Sequence, residues 1–379
     1  MLDAPDLPLF IKTLPGLEPV LEREVKFLGG RDVKAVKRGV KATGDIGFVY
    51  KANLALRSAL RVLVQVKEIP VQNADALYKV MRRIPWERYF DSQATMMVDA
   101  TVYSKVFTNS LYVAQKTKDG IADRFREKQG QRPNVDLQNP QVRINVHISQ
   151  KHCTVSLDSS GPSLHKRNYR SARIQAPLSE VLAAGILQLT GWEGHLPLID
   201  PMCGSGTFLV EGAFLAAGLP PNLLRKEFAF RHWKGFAEEL LHTIIEGLLS
   251  RESENPPTLF GFDKTTAALY KTRQNIRSAL LEDRIELAKA DFTKFNKREE
   301  LPEKGMIIMN PPYDLKMEAD IPRLYRQIGD TLKQQFTGYT AFLYTGSAEG
   351  IKNVGLKASQ KTYLPNAQRD AWLVRYDLY

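Results

Sequence analysis

The feature that most limits the fold is a regular alternation of strands and helices after about residue 176. Five short apolar segments in this half predict strands: LPLIDPMC, TLFGFDK, RIELAKADF, MIIMNPPY and TAFLYTGS. Most of them are separated by helical segments such as GTFLVEGAFLAAG and IPRLYRQIGDTLKQQF. This alternation predicts an α/β fold with a mostly parallel, doubly wound sheet. Ligands of such sheets bind outside the carboxyl ends of the strands, so functional residues are expected there.

The first half of the chain has a different order of elements. Its first 65 residues or so predict the order βαββαβ, which is typical of a small ferredoxin-like unit. A helix in NADALYKVMRRIPWERYF, a strand in TMMVDATVYS and an amphipathic helix in SLYVAQKTKDGIADRFREKQGQ are predicted next. Two further strands are predicted in VRINVHISQKHCTVSLDSSG, and the end of the chain predicts a β-hairpin.

The net charge of +11 is concentrated in the first half of the chain. Residues 1–173 carry 29 Lys and Arg against 17 Asp and Glu, whereas residues 174–379 carry 24 against 25. Such an excess is expected of a part that meets a polyanion, because phosphate contacts dominate the affinity of proteins for nucleic acids. A generally basic, solvated surface would have the same composition.

The composition argues against several classes of protein. No apolar run approaches the ~20 residues that span a bilayer. The N-terminus has acids and prolines where a signal peptide has basic and apolar regions. Cys153 and Cys203 are the two cysteines and lie far apart, which argues against a disulfide framework and a Cys-based zinc site. The chain is therefore predicted to be cytoplasmic, without membrane contact, bound metal or an obligate protein partner.

A glycine-containing loop follows the first strand of the alternating half. It runs from Asp200 to Thr207 with the sequence DPMCGSGT, and a predicted helix begins at its end. Glycines at this place let the backbone approach a ligand closely, and a helix N-terminus attracts negative charge. The loop is not a Walker motif, because no Lys follows Gly206, and it lacks the third glycine of the dinucleotide fingerprint.

Acidic residues end the next two strands. Asp263 stands where a carboxylate typically holds the hydroxyls of a ribose. Asp291, beside Phe292, offers an acceptor for an adenine amine next to a ring on which adenine can lie. Each aspartate alone is also explained by helix N-capping. The glycine loop, the two acids and NPPY at successive strand ends together favour a functional site.

The NPPY segment ends the fourth strand, and its two prolines taken alone indicate a turn. Beside the glycine loop and the two acids, the segment is a candidate for holding a planar amine. The Asn310 side-chain oxygen and the Pro311 carbonyl could accept both amine hydrogens, with the prolines fixing the direction of the carbonyl. Tyr313 could stack on a base that has swung out of its helix. The same arrangement fits adenine in DNA or RNA, guanine in RNA, or a protein glutamine. A reaction at a ring carbon of a pyrimidine fits poorly, because that route needs a cysteine nucleophile near this strand.

A basic segment between the halves predicts contact with nucleic acid. LHKRNYR mixes cations with an aromatic ring, which suits phosphate contact and base stacking; the candidates are His165, Lys166, Arg167, Tyr169 and Arg170. A solvated linker without a binding role is the structural alternative. Together with the charge of the first half, the segment favours a nucleic acid over a protein glutamine as the substrate.

DPMCGSGT, GFD, ADF and NPPY, preceded by LHKRNYR and APLSEVLAAGIL, resemble a known family over essentially the whole chain. The family is the class I S-adenosylmethionine-dependent RNA methyltransferases with a THUMP domain, and the resemblance is closest to the bacterial large-subunit rRNA guanine-(2-amino) methyltransferases. It implies a Rossmann-like methyltransferase domain with a mostly parallel seven-stranded sheet. The implied division is a ferredoxin-like domain at 1–65, a THUMP RNA-binding domain at 66–160, a linker at 161–175 and the methyltransferase domain at 176–379.

The resemblance also implies the cofactor and the roles of the strand-end residues. S-adenosyl-L-methionine would be bound by Asp200, Pro201, Cys203, Gly204, Gly206, Thr207, Asp263, Lys264, Asp291 and Phe292. The target base would be bound by Asn310, Pro311, Pro312 and Tyr313. Relatives commonly continue NPPY with Gly and a basic residue, whereas Asp314, Leu315 and Lys316 follow here, so the role of this stretch stays open.

The implied reaction is methylation of a guanine amine in large-subunit rRNA. Within enzymes, methylation of tRNA guanine or of an adenine amine in RNA stays open. Outside enzymes, the alternative is a non-catalytic RNA-binding assembly factor that retained the cofactor fold. Intact acids and an intact NPPY segment argue against that alternative.

Overall fold

The protein folds as two compact units, seen in a computed structural model that describes residues 4–170, 178–296, 301–312 and 321–379. The first unit contains the chain up to Thr13 together with Leu21–Lys166 and Arg225–Gly247. The second unit contains Leu14–Val20, Arg167–Leu224 and Leu248–Tyr379. Each unit is built around its own sheet.

The sheet of the first unit has seven strands in the order β2-β3-β1-β4-β7-β6-β5. The elements up to residue 158 are β1 (Leu7–Thr13), α1 (Glu18–Phe27), β2 (Arg31–Val36), β3 (Gly39–Gly44), α2 (Ile46–Ala55), β4 (Ala59–Pro70), α3 (Ala74–Arg83), β5 (Met96–Tyr103), α4 (Ser110–Gln129), β6 (Val142–Ser149) and β7 (His152–Asp158). The predicted βαββαβ order is confirmed. β4 pairs with β1 on one side and with β7 on the other, so the predicted boundary between residues 65 and 66 falls inside a strand of one continuous sheet.

Short polar side chains mark where the helices of the first unit begin. The Asp45 carboxylate accepts from the Phe48 N–H at 2.7 Å at the start of α2, and Asn73 accepts from the Ala76 N–H at 2.8 Å before α3. Asn109 accepts from the Tyr112 N–H at 3.0 Å before α4. Such caps satisfy N–H groups that have no partner within a helix. Across the parts of the chain that the structure describes, no helix is both long and apolar enough to cross a membrane.

The sheet of the second unit also has seven strands, in the order β10-β9-β8-β11-β12-β14-β13. Its elements are α5 (Glu180–Leu189), β8 (Leu198–Asp200), α6 (Thr207–Ala216), β9 (Leu259–Asp263), α8 (Thr266–Ser278), β10 (Ile285–Lys289), β11 (Met306–Met309), α9 (Ile321–Gln335), β12 (Thr340–Thr345), α10 (Ala348–Asn353), β13 (Gln360–Tyr363) and β14 (Trp372–Asp377), and α7 (Glu238–Leu249) precedes β9 in the chain. Strands β8 to β12 are parallel, and β14 is antiparallel to both β12 and β13. The prediction of a mostly parallel seven-stranded sheet is confirmed.

The strand order reverses between β8 and β11. β9 and β10 extend the sheet on one side of β8, whereas β12 continues it beyond β11. Ile199 pairs with Ile307 across this junction, so Asp200 and Asn310 follow neighbouring strands at the same edge. A doubly wound sheet opens a crevice where its order reverses, and ligands bind there.

A buried core fixes the strands that carry these ends. Ile199, Ile307 and Met309 are fully buried and belong to one apolar cluster with Tyr325 and Ile328 of α9. Burying an aliphatic side chain of this size contributes about 1.5–3 kcal/mol to stability. The buried core therefore holds the ends of β8 and β11 in place. The polar residues at these ends, Asp200 and Asn310, lie at the edge of the sheet.

Candidate functional site

The glycine loop connects β8 to α6 through two residues in the left-handed region. Gly204 has φ of +55° and Gly206 has φ of +74°. A Cβ on Gly206 would lie 2.5 Å from Thr272 Cγ2, so no larger residue fits there. Apart from Gly204 itself and its two neighbours in the chain, no atom of the described residues lies within 4 Å of where a Cβ on Gly204 would be. Gly206 is thus required for packing, whereas Gly204 borders open space that a ligand can enter.

Two side chains of α8 hold the loop by its carbonyl groups. Thr272 Oγ1 donates to the Gly204 carbonyl at 2.8 Å, and Asn275 Nδ2 donates to the Ser205 carbonyl at 2.9 Å. Both side chains are buried. The sequence reasoning missed these residues, although Leu269, Thr272 and Ile276 share one face of the helix, where a buried polar group needs a partner.

Asp200 is a buried carboxyl group at the end of β8. It is 2% exposed, and its Oδ1 accepts from the Met202 N–H at 3.2 Å. Burial raises the pKa of Asp200 to about 8, the Met202 N–H opposes the rise, and the negative charge of Asp263 adds to it. A cationic group bound next to Asp200 would favour its ionised form. The pair of acids therefore fits a positively charged ligand.

Asp263 joins the end of β9 to the glycine loop. Its Oδ2 accepts from the Gly204 N–H at 3.1 Å, and its Oδ1 accepts from the N–H and the hydroxyl of Thr265, both at 2.8 Å. The cap of α8 is Thr265, whose hydroxyl accepts from the Ala268 N–H, so simple N-capping does not account for Asp263. Carboxylate oxygens have further acceptor capacity, which ribose hydroxyls could use. The neighbouring Lys264 is exposed.

Asp291 caps a short turn after β10. It accepts from the N–H of Thr293 at 3.0 Å and from its hydroxyl at 2.8 Å, as the capping alternative predicts. Phe292 is 2% exposed, and its ring lies 5.8 Å from that of Phe336. The expectation that adenine lies on the Phe292 ring is wrong, because the apolar core under α9 takes the ring. The contact of Asp291 with the adenine amine stays a prediction.

Asn310 follows β11 and carries an acceptor without a donor. Its Oδ1 is buried and has no hydrogen-bond partner among the residues that the structure describes. An unpaired buried amide oxygen costs about 1–3 kcal/mol, so a group that supplies an N–H there gains that amount. Pro311 is buried and Pro312 is exposed. Tyr313, with Asp314, Leu315 and Lys316, lies outside the described residues.

The LHKRNYR segment supports the fold more than it faces solvent. Arg167 is 1% exposed, with Nε 3.4 Å from Glu211 Oε1 and Nη1 donating to Asn222 at 3.0 Å. Tyr169 is equally buried and donates its hydroxyl to Glu211 at 3.2 Å. The prediction that Arg167 and Tyr169 contact RNA is therefore wrong, since neither side chain is accessible. Both tie the segment to α6 through Glu211.

The three other residues of this segment differ in exposure. Arg170 is half-buried and donates to Glu180 at 2.5 Å and to Thr207 Oγ1 at 3.1 Å, which links it to the first residue of α6. His165 is half-buried, with Nδ1 2.9 Å from Ser163 Oγ. Lys166 is exposed. Of the five candidates, Lys166 keeps the surface position that a phosphate contact needs.

The cysteines are buried thiols. Burial raises the pKa of Cys153 to about 12, and burial beside Asp200 and Asp263 raises the pKa of Cys203 well above its ordinary value. A thiol with a raised pKa stays protonated and is a poor nucleophile. Within residues 4–170, 178–296, 301–312 and 321–379, no group of three or more His, Cys, Asp or Glu residues could hold a metal ion.

Three protein-family models match consecutive parts of the chain. Residues 167–374 match an RMKL-like methyltransferase domain. Residues 71–158 match a THUMP domain, and residues 8–63 match the RlmL ferredoxin-like domain.

Curated relatives are similar over nearly the whole chain. The protein slr0064 of Synechocystis sp. PCC 6803, which is assigned by name only as an RNA methyltransferase, is 35% identical over 98% of this chain and 97% of its own length. Ribosomal RNA large subunit methyltransferases K/L of Syntrophotalea carbinolica and Methylococcus capsulatus are 34% and 36% identical. The chain spans about half the length of those two relatives, 54% and 51%.

Solved structures have the same fold over 99% of the chain. The methyltransferase SMU.472, solved in complex with SAH, is 27% identical and superposes with a TM-score of 0.88 over 99% of its own length. A methylase of Clostridium difficile 630 is 28% identical, with a TM-score of 0.89 over 98% of its length. A protein of Listeria monocytogenes named as an N6-adenine-specific DNA methylase is 27% identical, with a TM-score of 0.88 over 97% of its length.

Proposed function

Because the chain belongs to the family of RMKL-like methyltransferases, we propose that it methylates the exocyclic amine of a guanine in large-subunit ribosomal RNA. As a member of this family the chain is an S-adenosylmethionine-dependent RNA methyltransferase. The base and the kind of RNA are the parts that we propose. A guanine amine and an adenine amine share the chemistry that Asn310 can serve, so the experiment below includes both.

The residues at the strand ends fit the cofactor. Asp263 would hold the ribose hydroxyls, and Asp291 would accept from the adenine amine. Gly204 borders open space that the cofactor can occupy. Asp200 would face the positively charged sulfonium group of the cofactor. S-adenosylmethionine supplies an electrophilic methyl group when it is bound.

The single observation that carries the proposal is that Asn310 Oδ1 has no hydrogen-bond partner among the described residues. Asn310 follows β11, which pairs with β8 where the strand order reverses. The glycine loop follows β8 at the same edge of the sheet. An amine hydrogen donated to this oxygen, and a second one donated to the Pro311 carbonyl, would favour a pyramidal nitrogen with its lone pair directed away from both acceptors. The nitrogen would gain the methyl group as the bond between that carbon and the cofactor's sulfur breaks, with S-adenosylhomocysteine as the leaving group, and the nitrogen would release a proton to solvent. Asn310 accepts a hydrogen bond throughout and takes no proton.

Positioning accounts for the rate in this proposal. Alignment of the amine with the methyl group is an effect worth up to ~7–11 kcal/mol in favourable cases. The buried core beneath β8 and β11 fixes the two strand ends on which that alignment depends. A displacement of the Asn310 backbone would therefore affect turnover more than cofactor affinity.

The choice of RNA is supported by charge and by the relatives. The excess of Lys and Arg lies in the first half of the chain, which contains the match to a THUMP domain. Ribosomal RNA from the large subunit is the substrate that the names of the K/L relatives state. Transfer RNA remains the runner-up and is included as a second substrate in the test.

The test measures which nucleoside the full-length protein methylates. Unmodified large-subunit rRNA and tRNA transcripts are incubated with S-adenosylmethionine, digested to nucleosides and analysed by mass spectrometry. We expect N2-methylguanosine in the rRNA. Methyladenosine instead of methylguanosine would contradict the assignment of guanine as the target base. Modified tRNA with unmodified rRNA would contradict the assignment of rRNA as the substrate. No product from either RNA would contradict the proposal as a whole.

Variants of Asn310 test the acceptor. Asn310→Ala should abolish methyl transfer and leave the cofactor affinity within a few-fold, because the proposed contact is to the base. Asn255→Ala, an exposed asparagine in the same unit, is the matched control and should behave as the wild type. Equal activity of Asn310→Ala and the control would contradict the role of Asn310 as a hydrogen-bond acceptor for the target amine.

A further inference from the structure

The terminal hairpin lies at the same edge of the sheet as the candidate site. β12 is parallel to β11, with Met309 paired to Leu343, so the carboxyl end of β12 at Thr345 points to the same edge as Asn310. Thr345 pairs with Trp372, and Trp372 pairs with Tyr363. The turn of the hairpin, residues 364–371, is therefore at the edge that carries the glycine loop and Asn310.

Aromatic rings and cations meet on this hairpin. Tyr363 is 55% exposed, and its ring centroid lies 6.1 Å from that of Trp372 at an angle of 62°. Lys361 Nζ lies 4.7 Å from the centroid of the Trp372 ring. The Tyr363 hydroxyl donates to Asp370 at 2.7 Å, which orients the ring, and Arg369 is exposed in the turn. Trp372 is half-buried against the core, and Tyr363 is the exposed ring of the pair. An exposed ring beside cations is typical of a surface that binds single-stranded nucleic acid.

The hairpin is held in one conformation. Leu364 is fully buried, donates its N–H to Ala371 at 2.9 Å and accepts at its carbonyl from the Tyr344 hydroxyl at 3.1 Å. Asn366 and Arg369 exchange two backbone hydrogen bonds of 3.0 Å. Ala367 has φ of +55°, a conformation that favours glycine and costs an alanine about 1 kcal/mol or more. A pre-ordered hairpin loses little entropy when it binds a ligand.

We propose that Lys361, Tyr363, Arg369 and Trp372, named here the rim surface, bind the RNA strand next to the target base, with Tyr363 stacking on a neighbouring base. The inference rests on the proposed function of the same site. β13 is three strands from β11, or about 14 Å at the usual strand spacing, so the rim surface is within reach of nucleotides close to the target. The two cations would contact phosphates, and the ring would contact a base without reading its identity.

The test compares three tyrosine variants of the full-length protein in methylation kinetics and in equilibrium binding of a fluorescent large-subunit rRNA fragment. Tyr363→Ala should raise the KM for RNA and the Kd of the fragment by about 5- to 150-fold, the range of one base stacked on a ring. Its kcat and its cofactor affinity by calorimetry should stay within two-fold. Tyr363→Phe, which keeps the ring, should restore both RNA values to within two-fold of the wild type.

Tyr379→Ala is the matched control. Tyr379 is 98% exposed and follows the opposite end of β14, so its loss should change nothing. An RNA Kd of Tyr363→Ala equal to that of Tyr379→Ala would overturn the rim surface, and so would a loss that Tyr363→Phe shares in full. The outcome is separate from that of the proposed function: if Tyr363→Ala weakens RNA binding while the wild type produces no methylguanosine, the guanine assignment fails and the rim surface stands.

Discussion

Asp200→Asn should change how the stability of the protein depends on pH. Burial raises the pKa of Asp200 from 3.8 to about 8, so between these values the folded protein binds a proton that the unfolded chain has released. The free energy of unfolding must therefore fall as pH rises through this window. Asn has nearly the same shape but no titrating proton, so the variant lacks this contribution.

The magnitude follows from one proton. A difference of one bound proton changes the free energy of unfolding by about 1.36 kcal/mol per pH unit, and pH 5 and pH 7 both lie inside the window. Between them, the wild type should lose about 3 kcal/mol relative to Asp200→Asn. Below pH 3.8 the contribution is constant, and above about 8 no further stability is lost. The stability of the variant minus that of the wild type should therefore be larger at pH 7 than at pH 5.

Urea unfolding at pH 5, 6 and 7 measures this effect, with the wild type and the variant compared at each pH. Asp283→Asn is the control, because Asp283 is an exposed acid in the same unit and its replacement should leave the pH dependence parallel to that of the wild type. Comparison of midpoints at equal slope avoids a long extrapolation. A gap between the wild type and Asp200→Asn that stays constant over the three pH values would refute the reasoning.

Three further substitutions test contacts that support the site. Thr272→Val keeps the shape but removes the hydrogen bond to the Gly204 carbonyl; at about 1 kcal/mol for such a bond, cofactor Kd by calorimetry should rise about five-fold, and an unchanged Kd would count against the bracing role. Gly206→Ala should lower the melting temperature and weaken the cofactor, because its Cβ would lie 2.5 Å from Thr272 Cγ2 at a positive φ; an unaltered melting temperature would show that the loop tolerates a side chain. Arg167→Met should destabilise the protein by about 3–5 kcal/mol in urea unfolding, since it leaves the Glu211 carboxylate buried without its cation. Adding Glu211→Gln should recover part of that loss, and a double variant no more stable than Arg167→Met would argue against the ion pair as the cause.

Local patterns were enough for most of the elements, though not for α7 or α10, and for the edge at which the site lies. Strands that alternate with helices must pack in parallel with helices on both faces, and parallel strands bring their carboxyl ends to one edge. Asp200, Asp263 and Asn310 could therefore be grouped from the sequence pattern alone, although they are far apart along the chain. The glycines of the loop could be identified because their conformation is a local property.

What a side chain does after it reaches the interior depends on partners that are distant in sequence. LHKRNYR has the composition of an RNA-binding segment, yet Glu211 lies 44 residues after Arg167 and takes that arginine and Tyr169 into the core. Phe292 follows an acid at a strand end, but its ring is buried in the apolar core beneath α9. The burial of these side chains cannot be predicted from the few residues on either side of them.

The domain boundaries were also decided by tertiary structure. β4 crosses the predicted boundary at residue 65 because its edges pair with β1 and β7, and hydrogen bonding between strands ignores where a sequence pattern changes. Leu14–Val20 belongs to the second unit. Leu17 packs closely against Gly185 of α5, since a Cβ on that glycine would lie 2.5 Å from the Leu17 side chain. The amino-acid sequence determined which elements form and where their polar ends meet. Long-range packing decided which charges are buried, which rings remain exposed at the rim surface, and which segments share a core, because those outcomes depend on surfaces that meet only after folding.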